Sequence, residues 1–393
     1  MKKHVILVSM IVATMFATSC SKDDGDNVEQ PVTQEVQNED NNKSEAQNAE
    51  SRQIVIKTDN GKILSEVETT DGYNFTFSKG NKLVLTDGET TYATLEMEGE
   101  AGSSSATFKG EISTKADNKS IYAVIAGQSP LSEVKTSTES LADVVQSNCY
   151  FKSEKFDYNA NRELSVTLND QNAYLVFEVS ENQKKVNIGS EWYDAANGKL
   201  FAAVPAGEVS GRFFGTKKAN SSEIYTITRT DVVDLGVGNV LWKTANETGG
   251  TATSYYQQDH LEYANEKYYT WSNAKDAFGT VDEPKEGSSF RLPTIEELAA
   301  LKELCKEGFV SVSGMSCKEF SNDNGALFFP AAGFYGGDFA GEGGDYWSSS
   351  PGDDFAGYRG DPLAYLLCFF VGYADVNLAS VDSKYSVRLV RGL

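Results

Sequence analysis

The chain has 393 residues, in which 57 Asp and Glu outweigh 35 Lys and Arg to give a formal net charge of −22 at pH 7. Such an acidic surface repels phosphate backbones, which excludes nucleic acid as an expected partner. Only two histidines occur, His4 and His260, so a zinc site built from several imidazoles is excluded, and we expect no metal and no cofactor. The length suffices for two domains and their tails.

The first segment has the pattern of an export signal. Lys2 and Lys3 precede an apolar run over residues 5–17, which is too short to span a bilayer. The run ends at Ala17-Thr-Ser-Cys20, which resembles the lipobox of bacterial lipoproteins, although Ala17 stands where leucine is usual. The resemblance implies a signal peptide over 1–19 and lipidation of Cys20. The alternative is ordinary secretion with Cys20 as a free thiol.

The polar segment that follows predicts a tether. Ser21-Lys-Asp-Asp-Gly-Asp is similar to the signal that carries lipoproteins to the outer face of the outer membrane in one group of Gram-negative bacteria. Residues 20–52 hold few large apolar side chains, so we expect a disordered, acidic linker. The expected location is the outer membrane, with a lipid anchor and exposure at the cell surface.

Residues 53–230 predict an all-β sandwich. Short alternating runs such as Lys82-Leu-Val-Leu, Ile121-Tyr-Ala-Val-Ile and Tyr174-Leu-Val-Phe-Glu-Val are separated by turn signals. With Ala203-Val-Pro-Ala-Gly, these runs resemble the fimbrillin-like family of surface lipoproteins. That resemblance implies processing after Arg52, which would free a groove for a strand of a neighbouring pilin subunit. A plain domain boundary at Arg52 explains the sequence equally well.

Residues 231–393 contain four ordered motifs. They are Arg291-Leu-Pro-Thr-Ile-Glu-Glu-Leu, Leu327-Phe-Phe-Pro-Ala-Ala-Gly, Tyr346-Trp-Ser-Ser-Ser and Tyr385-Ser-Val-Arg-Leu-Val-Arg. Their order resembles a major paralogous domain of bacterial surface lipoproteins, related to C-type lectins and the formylglycine-generating enzyme. The resemblance implies an α+β, C-type-lectin-like domain.

The first of these motifs predicts a helix. Thr294 is its N-cap, and Glu297 closes a capping box three residues later. An apolar stripe through Leu304 and Cys305 is expected to continue the helix until Gly308 ends it.

Catalysis and metal binding are the less favoured functions. A formylglycine-generating-enzyme-like oxidoreductase needs a pair of reactive cysteines, whereas Cys305 and Cys368 lie in apolar runs and are expected to be buried. We therefore expect no enzyme. Four carboxylates could gather a cation, but solvated carboxylates are the expected alternative; they are Asp345, Asp353, Asp354 and Asp361.

Recognition is the favoured function because aromatic and short polar residues alternate in segments that are rich in glycine. Such segments give contact area and adaptable hydrogen bonds. We expect adhesion or binding of an extracellular glycan or protein, with a fimbrial tip subunit assembled by strand addition as the alternative. The candidate ligand-binding residues are Asp353, Asp354, Tyr358, Arg359, Tyr373, Asp375, Asn377 and Asp382.

Overall fold

The structure, a computed structural model, describes residues 51–60, 64–65, 76–99, 102–250, 260–334, 339–352 and 362–393. The expected signal peptide, Cys20 and residues 20–50 of the expected tether lie outside this part of the chain, whereas the last two residues of that tether, Ser51 and Arg52, begin the first strand. Residues Ala49–Leu393 group into one compact unit by their contacts, and its secondary structure is mostly β, as the sequence predicts. Within the described residues, no helix is both long and apolar enough to cross a membrane.

The first half of the unit holds seventeen of the described strands and one α-helix, α1 (Leu141–Asn148), capped by the hydroxyl of Ser140. The strands are β1 (Ser51–Asn60), β2 (Leu64–Ser65), β3 (Lys82–Thr86), β4 (Thr91–Glu98), β5 (Ser105–Ser113), β6 (Lys119–Ile125), β7 (Lys135–Ser137), β8 (Phe151–Ser153), β9 (Phe156–Tyr158), β10 (Glu163–Asp170), β11 (Asn172–Val179), β12 (Lys185–Ile188), β13 (Glu191–Asp194), β14 (Lys199–Pro205), β15 (Gly207–Gly211), β16 (Gly215–Ala219) and β17 (Glu223–Arg229).

The first sheet has eight strands and closes on itself. Its order is β3-β4-β5-β1-β10-β8-β6-β9, and β3 also pairs with β6, which leaves β9 as an extension. Alternate residues of each strand point inward, as the period of two requires, and fill the interior with apolar side chains. The sequence predicts an all-β sandwich here; the all-β class is confirmed, and the β3–β6 pairing closes the sheet into a barrel-like form. The buried interior includes Ile54, Ile56, Leu83, Leu85, Leu95, Phe108, Ile112, Ile121, Phe151 and Leu168.

A second sheet of five strands follows, in the order β2-β17-β11-β14-β7. Its central strand β11 is apolar along almost its whole length because both of its faces are covered, one of them by α1. Asp170 lies where the chain passes from the first sheet to the second. Its buried carboxylate accepts hydrogen bonds from the amides of Tyr150 and Asn172 and the hydroxyl of Tyr174, which fixes the passage between the sheets.

The second half adds two helices and three small sheets. The helices are α2 (Trp271–Phe278) and α3 (Ile295–Leu304). The strands are β18 (Val232–Val233), β19 (Val240–Lys243), β20 (Lys306–Val312), β21 (Met315–Ser321), β22 (Ala326–Pro330), β23 (Gly343–Pro351), β24 (Leu363–Phe370), β25 (Tyr373–Ser380) and β26 (Val390–Gly392). They form sheets of three strands each, ordered β18-β19-β26, β20-β21-β22 and β23-β24-β25.

Helix α3 begins where the sequence predicts and ends earlier. Thr294 and Glu297 form the capping box, and Arg291 donates two hydrogen bonds to the carboxylate of Glu297. The predicted end at Gly308 is wrong, because the helix stops at Leu304 and Gly308 lies in β20. The predicted stripe is also too long, since the Leu304 side chain is 63% exposed. The shared core of α3 and the small sheets includes Leu298, Leu301, Phe320, Leu327, Phe329, Leu367 and Phe369.

A polar junction joins the two halves of the unit. The side-chain amide of Gln183 donates to the carbonyls of Asp234 and Asn324, and its oxygen accepts from the amide of Asp234. The fully buried Asp234 carboxylate accepts two hydrogen bonds from Nε of Arg212, at 2.9 and 2.7 Å. The turn after Asp234 contains Gly236 at φ 69°. Glycine is required there because a side chain would collide with the side-chain amide of Asn324. The halves are therefore held in a defined arrangement.

Candidate functional site

The serines of the Tyr346-Trp-Ser-Ser-Ser motif brace the scaffold. The hydroxyl of Ser348 donates to the carbonyl of Tyr365 on the neighbouring strand. The hydroxyl of Ser350 accepts from the amide of Ile295, one of the unpaired donors at the start of α3. Because the hydroxyls of Ser348 and Ser350 form hydrogen bonds within the fold, these two serines do not form a binding site.

The last of the four motifs, Tyr385-Ser-Val-Arg-Leu-Val-Arg, also contributes a buried side chain to the scaffold. Arg388 is buried, donates to the carbonyls of Lys243 and Phe328, and lies over the ring of Phe329 at 4.9 Å. Nearby, the Asn246 amide donates to Glu266 at 2.6 Å and to the Tyr346 hydroxyl at 2.8 Å. These buried polar contacts tie the segment that precedes β26 to the core.

An aromatic row runs from this core to the surface. It consists of Trp347, Tyr385, Phe334, Phe339 and Phe370, and the successive ring centroids are 4.6, 6.1, 5.8 and 5.2 Å apart. Trp347 is fully buried, whereas the Phe339 side chain is 40% exposed. Beyond the row, the turn between β24 and β25 exposes two further apolar side chains, Val371 at 65% and Tyr373 at 45%.

Beside the aromatic row, three polar residues lie opposite one another on the neighbouring strands β23, β24 and β25. Asp345 on β23 lies opposite Cys368 on β24, and Cys368 lies opposite Asp375 on β25. Burial raises the pKa of the Asp345 carboxyl to about 6, although a hydrogen bond from Cys368 opposes the shift. Burial also raises the pKa of Cys368 to about 12, and Asn377 hydrogen-bonds to the same thiol. A partly buried carboxyl with a shifted pKa, bordered by exposed rings, is typical of a binding site.

The predicted site residues that the structure describes lie on one edge strand and the turn after it. Tyr373, Asp375 and Asn377 belong to β25, where the sequence predicted a loop, because pairing with β24 orders this polar segment. Asp382 follows the far end of that strand, so at ~3.3 Å per residue it stands roughly 20 Å or more from Tyr373. The strand therefore separates Tyr373 from Asp382.

Two of these residues already have partners within the fold, Asn377 at the Cys368 thiol and Asp375 at Lys302. The Asp375 carboxylate accepts from Nζ of Lys302 at 2.8 Å, and this hydrogen bond lowers the pKa of Asp375. Lys318 is likewise paired, with Glu307 at 2.6 Å. The other predicted residues, Asp353, Asp354, Tyr358 and Arg359, lie outside the described residues, as does Asp361.

The predicted ligand-binding residues do not include the rings that the structure brings together, although Asp345 was among the carboxylates considered for a cation. Phe334, Phe339, Phe370 and Tyr385 come from three separate segments, and only the pairing of the strands assembles them. One signal was available: Leu366, Cys368 and Phe370 alternate along β24 and so share a face.

The suggested processing residue lies inside a strand. Arg52 is the second residue of β1 and pairs with Ile112 of β5, while its guanidinium forms an ion pair with Asp117. A protease that needs an extended, accessible chain would have to open this end of β1 first. Processing after Arg52 remains a prediction.

The described residues contain neither a cluster of potential metal ligands nor a cysteine with a lowered thiol pKa. No group of three or more His, Cys, Asp or Glu is placed to hold a metal ion among the residues that the structure describes. Four free cysteines lie in the same part of the chain, and burial raises the pKa of each; they are Cys149, Cys305, Cys317 and Cys368. A raised thiol pKa leaves little of the nucleophilic thiolate at neutral pH.

Comparisons with known proteins identify no family. No family profile matches the chain, and no curated protein matches it. A solved structure described as a fimbrial protein from Bacteroides ovatus ATCC 8483 shows 11% identity and a TM-score of 0.24, covering 86% of this chain and 99% of that one. Another, from Bacteroides fragilis NCTC 9343, has a description that proposes a role in cell adhesion. It shows 10% identity and a TM-score of 0.22, covering 44% and 92%. TM-scores this low carry no argument about function.

Proposed function

We propose that this chain is a surface protein that binds an extracellular ligand, with Cys20 as its lipid anchor in the outer membrane. The ligand meets the exposed end of the aromatic row, in a C-type-lectin-like second half. The observation that carries the proposal is the approach of Phe339 and Phe370 to the surface beside Asp345 on one braced sheet. Exposed rings next to a polar group supply both contact area and orientation.

The rigidity of the supporting sheet favours recognition. Ser348 and Ser350 brace β23, and the junction at Asp234 holds the second half against the first. A binding face that is fixed before the ligand arrives loses little conformational entropy on association. The raised pKa values of Cys317 and Cys368 favour binding over the cysteine-dependent oxidase.

The proposal is tested by probing a glycan array and a protein array with the full chain, with and without a chelator. Phe339→Ala should reduce binding to any ligand found by about tenfold, because a hot-spot aromatic contributes ~1–2 kcal/mol. Leu261→Ala is the matched control, since Leu261 is 76% exposed and lies outside the aromatic row. A ligand that binds Phe339→Ala and the unchanged chain equally would refute this face as the site.

A further inference from the structure

The carboxyl of Asp345 lacks a cationic partner in the described chain. Its side chain is largely covered, yet among the described residues only the Cys368 thiol donates a side-chain hydrogen bond to it. Among the ion pairs formed by described residues, none includes Asp345. A carboxylate has about four acceptor positions, and one weak thiol donor leaves most of them unused. Burying such a charge is costly unless a partner neutralises it.

Aromatic rings stand on both sides of this carboxyl. Tyr385 lies close enough to Asp345 for the carboxylate to raise the pKa of the Tyr385 hydroxyl, although burial is the larger cause. On the other side, Phe370 lies two residues beyond Cys368, on the same face of β24. Phe334 and Phe339 connect these two rings through contacts of 6.1, 5.8 and 5.2 Å. The four rings therefore form an arc whose ends flank Asp345.

Carboxylates and ring faces attract the same kind of group. The face of an aromatic ring carries partial negative charge, so a cation near it is stabilised, most strongly where water is partly excluded. Two lysines near the edge of this sheet are engaged elsewhere, Lys302 with Asp375 and Lys318 with Glu307. The formal charge of the whole chain, −22, also favours a positively charged partner.

We infer that the arc of rings and Asp345 receive a cationic side chain, a lysine ammonium or an arginine guanidinium, presented by a protein partner. This inference rests on the proposed function and specifies its ligand. The cation would pair with the Asp345 carboxylate and lie against the exposed face of Phe339. The pairing supplies the charge that the described chain does not provide.

The test is an amide chemical-shift titration of the ¹⁵N-labelled full chain with N-acetyl-lysine N-methylamide. Its side-chain-acetylated analogue keeps the shape and loses the charge, so it is the matched probe. We expect shifts at Asp345 and Phe339 with the lysine probe, and at least about tenfold weaker binding of the acetylated probe. The arginine counterpart should bind at the same residues.

Variants separate the two parts of the site. Asp345→Asn should weaken lysine binding by about tenfold, and Phe339→Leu, which keeps an apolar contact and loses the ring, by a few-fold. Asp282→Asn is the control, because Asp282 is exposed and lies outside the aromatic row and outside β23, β24 and β25. Unchanged circular dichroism spectra would show that the variants are folded.

Several outcomes would overturn the inference. Equal binding of the lysine and acetylated probes, no shift with either, or an undiminished affinity of Asp345→Asn would each do so. The proposed function fails separately: array ligands that are lost in Phe339→Ala but kept in Asp345→Asn would support the binding face and refute the cationic ligand. Array ligands that are indifferent to Phe339→Ala would refute the face itself.

Discussion

At the scale of single residues, Asp345 makes stability depend on pH in an unusual direction. Burial raises the pKa of its carboxyl from 3.8 to about 6. The folded state therefore holds this proton more tightly than the unfolded state does. The contribution of Asp345 to stability is fully present below pH 3.8 and is lost as the pH rises through 6.

The first prediction concerns Asp345→Asn. Since asparagine cannot ionise, the variant should gain about 1–3 kcal/mol in free energy of unfolding relative to the unchanged chain when the pH rises from 4 to 7.5. Urea denaturation at both pH values measures this difference. Asp382→Asn, at an exposed position, should show no such gain. A pH-independent difference between Asp345→Asn and the unchanged chain would contradict the raised pKa.

The second prediction concerns the thiols. Because burial raises the pKa values of Cys305 and Cys317 to about 11, and those of Cys149 and Cys368 to about 12, these four thiols should react slowly with a maleimide at pH 7.5 in the folded chain. Denaturant should expose these four of the five cysteines to rapid labelling, as followed by mass spectrometry of peptides. Fast, selective labelling of Cys317 or Cys368 in the folded chain would revive the oxidase alternative.

At the scale of elements, the start of α3 combines a capping box with an ion pair. Glu297 accepts from the amide of Thr294 and from both terminal nitrogens of Arg291, whose side chain is 15% exposed. One carboxylate thus satisfies a helix donor and a guanidinium together.

The third prediction is that Glu297→Ala lowers the free energy of unfolding by about 1–3 kcal/mol, because it removes the reciprocal cap and leaves Arg291 without its partner. Glu296→Ala is the control, since Glu296 lies in the same turn and is exposed. Urea denaturation of both variants tests the prediction. Equal losses would show that the general charge at the helix start matters and that the specific contacts do not.

The elements that could be predicted from sequence are those with local causes. The N-cap signal at Thr294 and Glu297 correctly predicted the start of α3. Strand β25 was missed because Asp375, Asn377 and Ser380 give the segment the polar composition of a loop, and pairing with β24, rather than local preference, orders it. The candidate site was missed for the same reason, as its rings meet only once distant strands have paired.

At the scale of the whole molecule, the junction makes the two halves one structural unit. Val232 and Leu241, which belong to the second half, are buried in the core of the five-stranded sheet of the first. Arg212 and Gln183 reach from the first half to Asp234 in the second. We therefore expect residues 231–393 alone to expose apolar surface that the full chain buries.

The fourth prediction is that Asp234→Ala lowers the free energy of unfolding by about 3 kcal/mol, because it leaves the partly buried guanidinium of Arg212 unpaired. Asp231→Ala, at a nearby exposed position, should have little effect. Urea denaturation followed by tryptophan fluorescence and by far-ultraviolet circular dichroism measures both variants. A loss in Asp234→Ala no larger than in Asp231→Ala would show that the ion pair does not hold the junction.

The place of β1 in the closed sheet has a mechanical consequence. If the chain is anchored at Cys20 and a partner is held at the aromatic row, tension enters the unit through Ser51 and pulls β1 along its own length. Strand β1 is bonded on both sides, antiparallel to β5 and parallel to β10. Such a pull shears two ladders at once instead of peeling one hydrogen bond at a time. The strand that takes the load first is thus the one best placed to resist it.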